Sequence, residues 1–326
     1  MGEPAESEGA GVTSLSVICD CREYDSFSPL NVHRMGASEP LALRIAHQLR
    51  DDGHKVDGIW KGKEEVIHEG IRWYPHEYFP RTCDVLVSFE WLVYADQFEF
   101  KKLIVPLNKI NPILNGYEDR VDAFVVFSQE HKRQLLLLNP TIKAEQVVII
   151  PPGVTMQPEM EPRLPKVKNR VIYCNTPDRG LVHLARAWPK VVEAVPDASL
   201  VITYGVERAW EQNKWHMDNM TEELLEIRRW LRGSPQGVID MGRVRPHSKL
   251  LEVQAQAELY AYPADAALPG FVTALAPMEA AAAGCGLLLS RLEGLPEVFA
   301  DCADFLDIPI VESEWAAAIV DILRDE

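Results

Sequence analysis

The chain has 326 residues, 47% apolar and 25% charged, which is enough for ordinary buried cores and long enough for two domains. Its 33 basic and 49 acidic residues leave a net charge of −16 with no long basic block, which argues against a nucleic-acid surface. No apolar run is long enough to cross a bilayer, and the opening "MGEPAESEGAGVT" lacks the basic and apolar segments of a signal peptide. Residues 1–12 are therefore expected to be a disordered acidic tail, and the chain is expected in the cytoplasm.

From residue 13 onward, short apolar runs alternate with helical patterns. "SLSVICD", "KVDGIW", "DVLVSFE", "KLIVPLN", "DAFVVFS" and "VVIIPPG" predict strands. Between the first two, Leu41, Leu43, Ile45, Ala46 and Leu49 form the apolar stripe of a helix. "SQEHKRQLLLL" predicts another helix, with Ser128 as its N-cap. The stretch 155–169, with three prolines in "TMQPEMEPRLPKVKN" and no periodicity, is expected to link a first domain, 13–154, to a second, 170–326.

The alternation then restarts. "RVIYCNT", "SLVITYG", "GVIDMGR", "AELYAYP" and "CGLLLSR" predict strands, and "GLVHLARAWPKVVEAV", "MTEELLEIRRWLRG" and "HSKLLEVQAQ" the helices between them. Two successive β-α alternations predict an α/β chain of two Rossmann-like domains facing a central cleft, with ligands at the carboxyl ends of the strands. The six cysteines, at 19, 21, 83, 174, 285 and 302, show no ligand spacing and predict free thiols in a reducing compartment.

Three strand-to-helix turns could carry chemistry. Gly36 and Ala37 are small and precede a helix that Ser38 could cap, so backbone N–H groups there could meet an anion, or the turn could simply be tight. In "CNTPDRGLVHLARAW", Pro177 and Asp178 are expected to open a helix with Arg179 in its first turn. A cation there opposes the helix dipole unless an anion shares the site or a neighbouring carboxylate pairs with it. Glu279 is expected in or near the first turn of the helix that continues into Ala280–Gly284. Its oxygens suit paired hydroxyls such as a ribose diol, although a helix-start carboxylate with small residues behind it is also a plain structural choice.

"PMEAAAAGCGLLLSRLEGLPEVF" resembles the carboxy-domain signature of the retaining GT-B glycosyltransferases of family four, within glycosyl transferases group 1. "MGASEPLALRIAHQLRDDGHKV", "VDAFVVFSQEHKRQLL", "DRGLVHLARAWPKVVEAVPDASLVITYG" and "VIDMGRVRPHSKLLEVQAQAELYAYP" resemble further segments of that family in the same order. The resemblance implies a GT-B fold in which Glu279 holds the ribose of a nucleoside-diphosphate sugar and Arg179 stands where the family has a diphosphate-binding Lys. It also implies that Gly36 meets the transferred group, that Asn175 and the edge at Met241–Arg243 lie against the donor, and that Glu297 fills the Gly-x-x-Glu position.

Two positions depart from the family. Eight residues before Glu279, where a second Glu usually stands next to the donor sugar, this chain has Phe271; either Asp265 or backbone groups of Gly270, Phe271, Val272 and Thr273 would take its place. Five residues before Arg179, where the family has an Arg, this chain has Cys174. The resemblance implies a metal-independent transferase needing no cofactor besides its donor, with a carbohydrate or lipid-linked acceptor. The alternative is a non-catalytic GT-B module that binds a nucleotide sugar or acts as a scaffold. Trp210, Trp215 and Trp230 among charges leave a peripheral membrane contact open beside ordinary surface packing.

Overall fold

The computed structural model describes residues 14–21, 28–29, 39–89, 92, 94–108, 118–154, 165–207, 218–265 and 275–325. They divide into two compact units, the first within 1–107, 112–125 and 139–148, the second within 108–111, 126–138 and 149–326.

The first unit is built on an eight-stranded sheet of order β3-β4-β2-β1-β5-β6-β7-β8. Its strands are β1 (Ser16–Asp20), β2 (Lys55–Trp60), β3 (Val66–His68), β4 (Ile71–Pro75), β5 (Thr82–Ser88), β6 (Glu99–Pro106), β7 (Ala123–Val126) and β8 (Val147–Ile149). β1 lies inside the sheet, parallel to β2 and β5, and its last four residues are buried. An inner parallel strand is covered on both faces, which is why "VICD" shows no alternation. Helix α1 (Glu39–Asp51) packs Ala42, Leu43 and Ala46 on this sheet, with Ile45 and Leu49 partly buried beside them. Each fully buried leucine side chain contributes about 1.5–3 kcal/mol. The β3–β4 hairpin is not among the predicted elements. β3 is three residues long with no fully buried position, so no apolar run marks it.

The second unit repeats the strategy. Its strands are β9 (Arg170–Tyr173), β10 (Ser199–Ile202), β11 (Val238–Asp240), β12 (Leu259–Tyr262), β13 (Gly286–Ser290) and β14 (Asp304–Leu306), all parallel, in the order β11-β10-β9-β12-β13-β14. The connecting helices are α3 (Leu181–Ala194), α4 (Asp218–Arg232), α5 (His247–Ala255), α6 (Leu275–Ala282) and α7 (Leu295–Val298), and α8 (Glu312–Arg324) follows β14. The chain starts at β9 in the middle, winds outward through β10 and β11, then returns to β12 and winds the other way. This leaves a topological switch between β9 and β12.

Helix α2 (Gln129–Leu138) follows β7 but makes its contacts with the second unit. Ser128 caps it as expected, its Oγ accepting from the His131 N–H at 3.0 Å. The core of the second unit holds Val171, Ile172, Leu200, Ile202 and Leu288 from the strands, with Trp188 of α3 and Trp315 of α8. β14, α7 and α8 extend the predicted pattern. Trp230 is partly buried against this core, whereas Trp210 and Trp215 lie outside the described residues. All six cysteines are free; Cys19, Cys21, Cys83 and Cys285 are buried and Cys302 is exposed.

Candidate active site

At the switch point, β9 ends at Tyr173 and the chain turns through residues 174–180 before α3 begins. Pro177 and Asp178 do not open the helix, and Arg179 is not in its first turn. The Arg179 N–H closes a turn on the Thr176 carbonyl at 2.9 Å, and Gly180 is the N-cap, with φ 96°. A side chain on Gly180 would reach within 1.8 Å of the Pro263 carbonyl oxygen, just past β12. The helix start is therefore pressed against the end of the neighbouring strand. With this left-handed residue, which glycine adopts without steric cost, the helix begins only at Leu181.

Arg179 remains beside the N-terminus of α3, where N–H groups lack helical partners. Burial raises the phenols of Tyr173 and Tyr262 well above their usual range, and the nearby Arg179 charge partly offsets this. Asn175 donates from Nδ2 to the Tyr260 hydroxyl at 2.5 Å. Burial pushes the Cys174 thiol up to about 12, opposed by hydrogen bonds from Thr203 and Gln254. At neutral pH it is an uncharged thiol and cannot replace the cation that the family places there.

Glu279 is the fifth described residue of α6, directly after the first turn, as expected. Pro277 sits in the first turn, where its missing N–H costs nothing, so the helix starts ahead of the carboxylate. Glu279 is buried, at 7% exposure, and its Oε1 lies 3.0 Å from His247 Nε2. His247 is the first residue of α5. The proximity of Glu279 also adds to the upward push on the Cys174 thiol, so the carboxylate lies toward the end of β9.

Met241 and Arg243 follow β11. The Met241 N–H bonds the Ile202 carbonyl at 2.9 Å, and Arg243 forms an isolated antiparallel bridge with Tyr204. Both are thus held against the end of β10, with the Met241 side chain exposed. Asp265, past β12, is bound to His183 Nε2 at 3.1 Å, and His183 Nδ1 lies 3.1 Å from Glu312 Oε1. Gly36, Gly270, Phe271, Val272 and Thr273 lie outside the described residues. Glu297, on α7, accepts from the Gln129 N–H at 2.7 and 2.8 Å, capping α2.

The structure thus places Asn175, Arg179, Met241, Arg243, Asp265 and Glu279 at or near strand ends of one sheet. Sequence reasoning missed His247 and His183. The signal for His247 is its place at a helix start directly after Pro246; His183 sits in an apolar helical stripe and gives no such signal.

Residues 168–325 match the family model described as glycosyl transferases group 1. Comparison with curated proteins finds no match. Among solved structures, a sucrose-phosphate synthase from Thermosynechococcus elongatus is 15% identical with a TM-score of 0.68, covering 95% of this chain and 90% of that one. An E. coli trehalose-6-phosphate structure bound with UDP-2-fluoro glucose is 11% identical, TM-score 0.67, covering 95% and 92%. WaaG, a glycosyltransferase involved in lipopolysaccharide biosynthesis, is 14% identical, TM-score 0.62, covering 94% and 90%. The fold is that of the GT-B glycosyltransferases, two Rossmann-like α/β domains. The family match over the second unit supports a group 1 glycosyltransferase.

Proposed function

We propose that the chain is a retaining glycosyltransferase that moves a sugar from a nucleoside diphosphate to an acceptor hydroxyl. The bond between the anomeric carbon and the diphosphate oxygen breaks, a bond to the acceptor oxygen forms on the same face, and the acceptor proton leaves. Negative charge grows on the diphosphate while the sugar becomes oxocarbenium-like, so catalysis consists of stabilising that charge and positioning the acceptor. Arg179 and the first N–H groups of α3 take the diphosphate, with no metal in the step. Asn175, Met241 and Arg243 flank the nucleotide. Gly36 and the backbone at 270–273 are assigned to the sugar by the resemblance alone.

The observation that carries the reading is Glu279. A carboxylate buried to 7% exposure is rare unless it is hydrogen-bonded, and this one is held by His247. An ionised carboxylate has acceptor capacity beyond that single bond, enough for the two hydroxyls of a ribose. Asp265 is already engaged by His183, so it is a weaker candidate for the missing upstream Glu. No helix among the described residues is long and apolar enough to cross a membrane. A carbohydrate or lipid-linked acceptor met from the cytoplasm fits the reading.

The test is calorimetric binding of UDP, GDP and ADP and their sugars, followed by assay of donor hydrolysis and transfer. Glu279→Ala should weaken binding of the preferred nucleoside diphosphate by about 1.5–3 kcal/mol, the cost of losing hydrogen bonds to a charged group. Unchanged affinity in a folded variant would reduce Glu279 to a structural partner of His247. Tight donor binding without turnover on any acceptor would make the chain a binding module.

A further inference from the structure

Among the described residues, one group of three metal-ligating side chains converges: His47, His68 and Glu69, with ligand atoms all within 4.8 Å of one another. His47 lies in the third turn of α1, His68 ends β3, and Glu69 begins the hairpin turn to β4. We propose that these three side chains form a zinc site that ties α1 to the β3–β4 hairpin.

The geometry is close to what zinc needs. Ligand atoms at about 2.0–2.2 Å from a tetrahedral ion lie roughly 3.3–3.5 Å from one another. His47 Nδ1 is 3.3 Å from Glu69 Oε2, and His68 Nε2 is 3.8 Å from Glu69 Oε1. Small side-chain rotations bring all three to one ion, with water in the fourth position. Glu69 is 58% exposed, which leaves a path for the ion.

The backbone beneath the carboxylate is fixed. Residues 69 and 70 form a two-residue turn with φ 47° and 79°, His68 pairing with Ile71 across it. Positive φ at both central residues fits a type I′ hairpin, whose twist matches the strands. A Glu in that conformation is uncommon. The Arg50 guanidinium donates to the Glu69 carbonyl oxygen, clamping the turn to α1, while Arg50 itself is paired with Asp51.

An ion pair between His47 and Glu69 involves two of the three residues, and His68 approaches the other oxygen of the same carboxylate at 3.8 Å. Two imidazolium rings with centroids 6.0 Å apart would repel. Two neutral rings each offer a lone pair that a divalent ion can use. Imidazole donors select zinc and its transition-metal neighbours over magnesium and calcium.

The experiment is calorimetric titration of the full chain, stripped with chelator, with zinc chloride and with magnesium chloride. The expected result is saturable uptake of one zinc per chain, no magnesium uptake, and a zinc-induced rise in Tm. His68→Gln and Glu69→Gln, shown to be folded by circular dichroism, should each weaken that uptake at least tenfold and remove the rise in Tm. Absence of one-to-one uptake in the wild type, or equal uptake in the wild type and both variants, would overturn the proposal.

Discussion

In the first unit β1 ends at Asp20 and Cys21 and β5 at Ser88 and Phe89, all four at most 4% exposed. In the second unit the corresponding inner strands, β9 and β12, lead to Asn175, Arg179 and Asp265, and the helices beside them bring His247 and Glu279. Both sheets place their first strand inside and wind outward to either side. The same wiring therefore produces one described edge of buried, mostly small or apolar groups and another lined with carboxylates, histidines and arginine. Winding order only says where a crevice can lie; side chains decide whether it holds chemistry. The family match falls on residues 168–325, which contain the described edge lined with those groups.

The comparison breaks most readily at Gly180. If the close approach of α3 to the end of β12 builds the furnished edge, Gly180→Ala should cost about 2–4 kcal/mol. That combines the left-handed backbone penalty with the clash on Pro263. Urea unfolding measures it. A loss below about 0.5 kcal/mol, the ordinary range for surface substitutions, would mean that the turn relaxes freely and does not set the geometry of the edge.

Arg179 sharpens the comparison by asking whether the edge acts. On the proposed reading the leaving diphosphate gains charge in the transition state, so Arg179 matters more to rate than to binding. Arg179→Ala should lower kcat by on the order of 10²-fold with a smaller change in donor affinity. Arg179→Lys should recover part of that, because an ammonium restores the charge but not the planar fork. Steady-state transfer kinetics decide it, and wild-type kcat in Arg179→Ala would place the diphosphate elsewhere.

Much of this contrast was legible in the sequence where periodicity or an apolar run marks it. β2 begins and ends where "KVDGIW" does, and Ser128 caps α2 through the hydroxyl that suggested it. What escaped were features set by contacts distant in sequence. Arg179 was expected inside α3 because nothing local shows that Gly180 turns left-handed against Pro263, more than eighty residues away. His247 and His183 take their meaning from carboxylates on other elements, which no spacing along the chain reveals. The β3–β4 hairpin is too short to show alternation. Helix α8 did carry a legible stripe, since Trp315, Ala316, Ile319, Val320 and Leu323 recur at helical spacing.

The smallest effect is expected at the start of α2, where a local and a remote cap meet. Ser128 Oγ takes the N–H of His131, and the Ser128 carbonyl takes that of Lys132 at 3.0 Å. The two N–H groups ahead of them, of Gln129 and Glu130, go to Glu297 at 2.7–2.8 and 3.3 Å. The first four donors of the helix are thus satisfied, two through Ser128 and two by a carboxylate on α7. Because Glu297 is exposed, its contribution is screened, and Glu297→Ala should cost about 0.3–1 kcal/mol at low ionic strength. Glu297→Gln keeps an acceptor oxygen but loses the charge, so it should cost less than the alanine variant. Added salt should shrink the difference between Gln and wild type. The local readout is hydrogen exchange at Gln129 and Glu130, which should quicken in Glu297→Ala while His131, held by Ser128, changes little. Equal exchange at all three amides in both proteins would show that Glu297 contributes nothing to this helix, and would leave the Gly-x-x-Glu position free for a role toward the donor.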